Sequence, residues 1–359
     1  MKTIFIIFTS ALLLSCSNKA PETALNVANL KLEHVRDIPF ELPDSVQLGR
    51  VHQMELSQTN ELWSFSDPIH QQIIITDNNG NFVNNIGRYG SGPDEFNKIL
   101  SFALDEQDRL VVFDEGQMLF KLFHATNGDL LHTFSGLGNT GYSQISEHIL
   151  FSDGVIYMPV IEQNKLLSET WNSTLLLTFD MEGNVIRSFG QFSDALKKAR
   201  HFSHRPRLYY DKVRQSIYLG HLPIFNIDKI SLKNGDVVSS FGERSENFLI
   251  PDSNIDPMMP FNKIEEAVRS QSFVKNITSF EDYVLVHFFN PNERFHQTRD
   301  WNEMDHYLKV YDADSHKFLS ELSLPFQAIG FTKNGVLLVK DEDPDSFTLA
   351  EYEIIESEL

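Results

Sequence analysis

Apolar residues along this chain fall in short runs of strand length, separated by polar turns. One pattern recurs. An apolar strand meets a tight turn carrying Asn-Gly or Gly-Asn/Asp, and a second strand follows that ends near Phe-Gly or Ile-Gly. It appears at Ile73–Gly87, Phe120–Gly136, Leu175–Gly190 and Ile227–Gly242, with a copy lacking the turn glycine at Leu308–Leu322. The turn glycines Gly80, Gly128, Gly183 and Gly235 are 48, 55 and 52 residues apart. Glycine suits such positions because tight hairpins force positive φ. A second hairpin, strand–polar turn–more apolar strand, alternates with the first. Its six copies are Val51–Asp67, Ser101–Glu115, His148–Val160, Arg207–His221, Ile277–Phe289 and Ala328–Asp341.

Two hairpins per unit make a four-stranded antiparallel sheet. Six units of about 50 residues predict an all-β fold, a six-bladed β-propeller of four-stranded antiparallel blades. A parallel α/β fold would need amphipathic helices between strands, and the only helical pattern is Phe261–Ser272. After Asp341 a single strand remains, Ser346–Ile355, so the last blade is one strand short. Leu32–Leu42 precedes the first hairpin and is expected to complete it, closing the ring with strands from both ends.

This strand order places the turns inside hairpins on one face and all other connections on the opposite one. The first group is uniformly short. The second holds the long insertions Pro159–Ser173, Gln191–Pro206, Glu243–Lys275 and Asn290–His306. Long loops in compact domains often carry function.

Composition changes the picture in three places. The 359 residues include 29 Phe against 3 Trp, which points to aromatic cores between strands. A formal charge of −20 disfavours nucleic acid, whose binding needs clustered cations. The scarce cations gather with aromatics in the insertions. Ligand-binding candidates are therefore Trp171, Arg205, Arg207, His221, Arg294, Arg299 and Trp301, a set suited to carbohydrate, peptide or acidic groups.

The N-terminus reads as a targeting segment. Lys2 precedes the apolar run Ile4–Leu14, which ends at Leu13-Leu14-Ser15-Cys16 and resembles a bacterial lipobox. Cys16 is the only cysteine, so it has no disulfide to make and is the candidate lipidation site. The expected layout is a lipoprotein signal peptide over 1–15, a tether over 16–31 and the propeller over 32–359.

The stretch Asn84–Phe96, "NNIGRYGSGPDEF", looks at first like a phosphate cradle. It leads into the strand-like "FNKILSFALD" rather than a helix, and it has no Gly-Lys-Ser/Thr. It reads instead as the joint between two blades. With Gly87, Gly90, Gly92, Pro93 and Phe96, it resembles the signature of six-bladed propeller lipoproteins of Bacteroides-type bacteria, related to NHL-repeat propellers. That resemblance implies location and architecture more than chemistry.

Catalytic motifs are sparse. His201 and His204 alone do not make a zinc site, and no G-x-S-x-G is present. Asp77, Asp114 and Asp312 read as turn caps. The resulting expectation is a monomeric binding module for a ligand or envelope protein, acting through its loop-rich face without a cofactor. It is anchored to the outer membrane by lipid alone, on the periplasmic or surface side. The alternative is a propeller-type hydrolase or lactonase with Ca²⁺ at the channel mouth.

Overall fold

The computed structural model describes residues 29–357, except 58–60, 139, 163–173, 192–205, 222–224, 243–244, 250–259, 261, 264–265, 267–268, 281, 299–302, 333–334, 342 and 344–345. The described strands form six sheets. After β1 (Leu30–Pro39), blade 1 comprises β2 (Gln53–Leu56), β3 (Leu62–Asp67), β4 (Gln72–Asp77) and β5 (Phe82–Ile86). Blade 2 comprises β6 (Ile99–Leu104), β7 (Arg109–Asp114), β8 (Leu119–His124) and β9 (Leu130–Phe134). Blade 3 has β10 (Tyr142–Gln144), β11 (Leu150–Ser152), β12 (Val155–Glu162), β13 (Thr174–Phe179) and β14 (Val185–Gln191). Blade 4 has β15 (Arg207–Asp211), β16 (Ser216–His221), β17 (Asn226–Ser231) and β18 (Val237–Phe241). Blade 5 has β19 (Phe273–Phe280), β20 (Tyr283–Asn290), β21 (Asp305–Asp312) and β22 (Phe318–Leu324). Blade 6 joins β23 (Ala328–Thr332), β24 (Gly335–Asp341) and β25 (Thr348–Glu356) to β1.

The six-bladed fold expected from the repeats is the fold observed. Its closure also follows the prediction: β1 pairs antiparallel with β25 from Leu30↔Glu356 to Pro39↔Thr348. The strand starts at Leu30 and so takes in the last two residues of the span read as tether. Arg36 locks the closure to blade 1. It donates to Glu351 Oε2 at 2.8 Å, to Asn79 Oδ1 at 2.9 Å and to the Asn78 carbonyl at 3.0 Å.

Six apolar clusters fill the wedges, one between each pair of neighbouring blades. Aromatic rings dominate several of them. Phe113, Phe120, Phe134 and Phe179 pack between blades 2 and 3, with ring centroids 4.9 to 5.9 Å apart. This is where the excess of Phe goes, since flat rings fill a tapering gap between sheets with large buried area.

Turn chemistry explains the hairpins. Gly80, Gly128, Gly183 and Gly235 all have positive φ. In the copy without glycine, His316 takes that conformation at φ 56°. The aspartates cap as expected. Asp77 accepts from the amides of Asn79 (2.8 Å) and Asn81 (2.9 Å), and Asp312 accepts from the amide and hydroxyl of Ser315.

Two features depart from the simple repeat. In blade 3 the innermost place is split between β10 and β11, which both pair with β12. Pro159 lies opposite the gap; lacking an N–H, it cannot donate to the inner strand there. The helix expected at 261–272 falls partly outside the described residues, of which Asn262, Lys263, Glu266 and Arg269 are helical. A short helix, α1 (Glu293–Thr298), appears in the β20–β21 connection instead.

Candidate functional site in the axial cavity

The glycine-rich joint is structural. Gly87 has φ 89°, and a Cβ there would sit 2.2 Å from the Phe96 ring, which is fully buried. The amides of the loop already face carboxylates of the protein itself. Gly92 N–H donates to Glu95 at 2.8 Å, and the Asn97 and Lys98 amides both donate to Asp114 at 3.0 Å. Lys121, 1% exposed, donates from beneath to the carbonyls of Gly92 (3.0 Å) and Glu95. The anion-binding capacity of these amides is thus used internally, and the joint reading holds.

A cavity of about 770 Å³ runs along the propeller axis. Its wall is built from the innermost strand of every blade: β2, β6, β11, β15, β19 and β23. It reaches the turns that follow these strands, where Lys212, Val213 and Asp282 line it and Val213 is 88% exposed. The mouth therefore opens on the short-turn face. The sequence pointed to the opposite face, because loop lengths are visible in a sequence and the bore of a ring is not.

Polar side chains converge in this bore. Glu55 projects from the middle of β2, with Gln53 Nε2 donating to its Oε1 at 2.9 Å. It is half-buried and lines the cavity. Burial raises its pKa to about 7, against the lowering effect of the Gln53 hydrogen bond. His148 lies in the break between β10 and β11. Burial first, then the charges of Arg207 and Lys275, hold its pKa well below the usual histidine value, with Glu147 opposing. Arg207 opens β15 and is 6% exposed. Asn276 and Tyr209 complete this part of the wall, and the Tyr209 hydroxyl donates to the Ser279 carbonyl at 3.2 Å.

At the mouth, acids predominate. The Asp108 pKa is raised by burial and then by the nearby charges of Glu61 and Asp105. The local cations are engaged: Lys212 is 3.7 Å from Glu106, and Arg214 pairs with Asp211 (3.3 Å) and Asp314 (3.0 Å).

Of the residues singled out in the sequence, Arg207 enters the cavity wall. His221 is fully buried, with Nε2 2.7 Å from Asp228 Oδ2. Arg294 stands on α1, exposed and paired with Glu303 at 2.8 and 2.9 Å. Cys16, Trp171, Arg205, Arg299 and Trp301 lie outside the described residues, as do His201 and His204. Arg207 pairs in register with Gly220, so Arg207 and His221 stand side by side at one end of blade 4, while Arg294 lies on the β20–β21 connection of blade 5. Glu55, His148 and Asn276 were missed. The available signal was a polar residue inside an innermost strand, as in "QMEL" and "VKNIT".

Ca²⁺ needs several oxygen ligands converging on one point. Among the described residues no group of three or more His, Cys, Asp or Glu is placed to hold a metal ion. Among the described residues, no helix is long and apolar enough to cross a membrane.

A family model described as a six-bladed β-propeller matches residues 22–135, the stretch holding β1, blades 1 and 2 and the glycine joint. A member of the DUF4221 family from Bacteroides vulgatus superposes with a TM-score of 0.68 over 92% of this chain and 100% of its own, at 11% identity. A candidate exported protein from Bacteroides fragilis gives 0.56 over 93% and 97%, at 14% identity. A gluconolactonase from Xanthomonas campestris gives 0.49 over 89% and 98%, at 11% identity. No curated protein matches the chain in sequence. The family model and the two Bacteroides structures define the class as a six-bladed β-propeller, and at such identities they speak for fold alone.

Proposed function

We propose that this protein is a binding propeller of the cell envelope that holds a small ligand in its axial cavity. The observation that carries the reading is the cavity itself: about 770 Å³, with Glu55, His148, Arg207 and Asn276 on its wall. That volume suits a small-molecule site, and strongly shifted pKa values in a cavity mark functional groups more often than chance. Glu55 alone would serve as a proton donor or acceptor, and its hydrogen-bond partner Gln53 is an amide that does not exchange a proton with it. Binding is therefore preferred to hydrolysis. Envelope location rests on the apolar run before Cys16 and on the lipobox-like segment ending there. Labelled palmitate should enter the protein in a Bacteroides-type host, and Cys16→Ala should abolish the labelling.

The test of binding is a thermal-shift screen of small soluble molecules against two variants. Asn276→Phe fills the cavity, and Arg294→Ala alters the loop-rich face. Stabilising compounds should lose their effect in the first and keep it in the second. The reverse pattern would return the site to the long loops.

A further inference from the structure

We propose that the axial cavity accepts a molecule with a neutral body and one oxyanion head, the head seated against Arg207 and the body lying towards the short-turn mouth. This deepens the binding reading and rests on it. Arg207 is a buried guanidinium on the wall of a void. A planar fork of donors in such a place matches a carboxylate, sulfate or phosphate group.

Although the chain carries −20 overall, a second cation, Lys275, acts with Arg207 on the same histidine. After burial, Arg207 and Lys275 are the main influences on His148. Lys275 also acts on the buried histidines His287 and His306 of blade 5. Lys275 thus lies within electrostatic reach of all three imidazoles. Glu147 offsets them in part and stands 3.4 Å from His52.

The mouth restricts the ligand further. Asp211 and Asp282 line it, while Lys212 and Arg214 are held by their acidic partners. A long polyanion would be repelled on entry, whereas a small anion or a molecule with a single charged head would pass. Glu55 sits between mouth and Arg207. From the flanking strands β6 and β23, the cavity-lining Ala103, Leu104, Ile329, Gly330 and Phe331 are uncharged. On its own strand Gln53 is its hydrogen-bond partner. Protonated, Glu55 donates a hydrogen bond to the ligand body; ionised, it repels the head. Its pKa of about 7 places that change near neutrality.

Calorimetric titration of the full chain tests this with five probes: glucose, glucuronate, glucose 6-sulfate, glucose 6-phosphate and polygalacturonate. At least one of the three charged monosaccharides should bind about tenfold or more tighter than glucose, and which one identifies the oxyanion. Polygalacturonate should not bind. Affinity should fall several-fold between about pH 6 and about pH 8 in the parent, and stay level in Glu55→Gln. Arg207→Lys keeps the charge but loses the fork, and should weaken the charged probe by about tenfold. Circular dichroism of that variant checks that it is folded. Binding of glucose as tight as that of its charged relatives would overturn the oxyanion assignment and leave the small-ligand reading standing. Absence of binding by every charged probe would also overturn it, while screen hits sensitive to Asn276→Phe would keep the broader reading.

Discussion

The joint between blades 1 and 2 and the wall of the axial cavity are both built from buried polar residues, but they are satisfied differently. At the joint, Asp114 accepts from two backbone amides and from Gln117 Nε2 at 2.8 Å, while Lys121 donates to two carbonyls. Glu95 accepts from Gly92 and from Arg88 Nε at 2.9 Å. Each charge there is held by several protein groups. In the cavity, the single influence that lowers the Glu55 pKa is its bond to Gln53. Polar groups that hold a fold together are saturated by the fold. Those facing a void retain capacity for something that enters it.

The largest expected effects come from breaking the saturated region. Lys121→Met removes one centre of a buried network and takes one of two donors from each of the Gly92 and Glu95 carbonyls. It should cost about 3–5 kcal/mol in urea denaturation. Phe96→Ala opens a hole under the joint and should cost a similar amount, about 3–5 kcal/mol. Neither loss should depend strongly on pH between 6 and 8.

The cavity should behave in the opposite sense. In the unfolded chain Glu55 titrates near 4.5, and in the folded protein near 7. Between these values the native state holds the extra proton, so stability falls as pH rises from about 4.5 through 7. Glu55→Gln should therefore stabilise the protein by roughly 2–3 kcal/mol at about pH 8 and by little at about pH 5. Buried His306 has its pKa lowered to about 4, and His287 lies well below the usual value, both chiefly by burial. They bind protons in the unfolded chain before the native one, so stability is also lost as pH falls from about 6.5 towards 4. Chemical denaturation across this range should show an optimum in between, with its alkaline limb flattened by Glu55→Gln.

The smallest effect is expected at the rim. Arg294 and Glu303 form an exposed pair, and Arg294→Ala should change stability by less than about 0.5 kcal/mol. A large loss there would show that the long-loop face shares the rigidity of the joint.

Much of the fold is legible in the chain because strand alternation and turn glycines are local signals. Gly80, Gly128, Gly183 and Gly235 mark hairpins by φ alone, and Leu32–Leu42 betrays the closure because the last blade lacks a strand. The split in blade 3 is harder to foresee, since one Pro159 must be weighed against its partner strand. The site is less legible still. Arg207 was noticed as a cation near a long loop, but its place at the start of β15 puts it in the wall of the bore. Glu55 is one acid in a short strand, and its chemistry depends on five other blades surrounding it. Loop length can be counted in one dimension, whereas convergence on an axis exists only after the ring closes.

The central claim is that the bore accepts an oxyanion beside Arg207. Crystals soaked in selenate and measured at the selenium absorption edge test it directly. The account predicts an anomalous peak inside the axial cavity, within hydrogen-bond distance of the Arg207 guanidinium. Selenium found solely on the outer surface, with the bore holding only water, would contradict it.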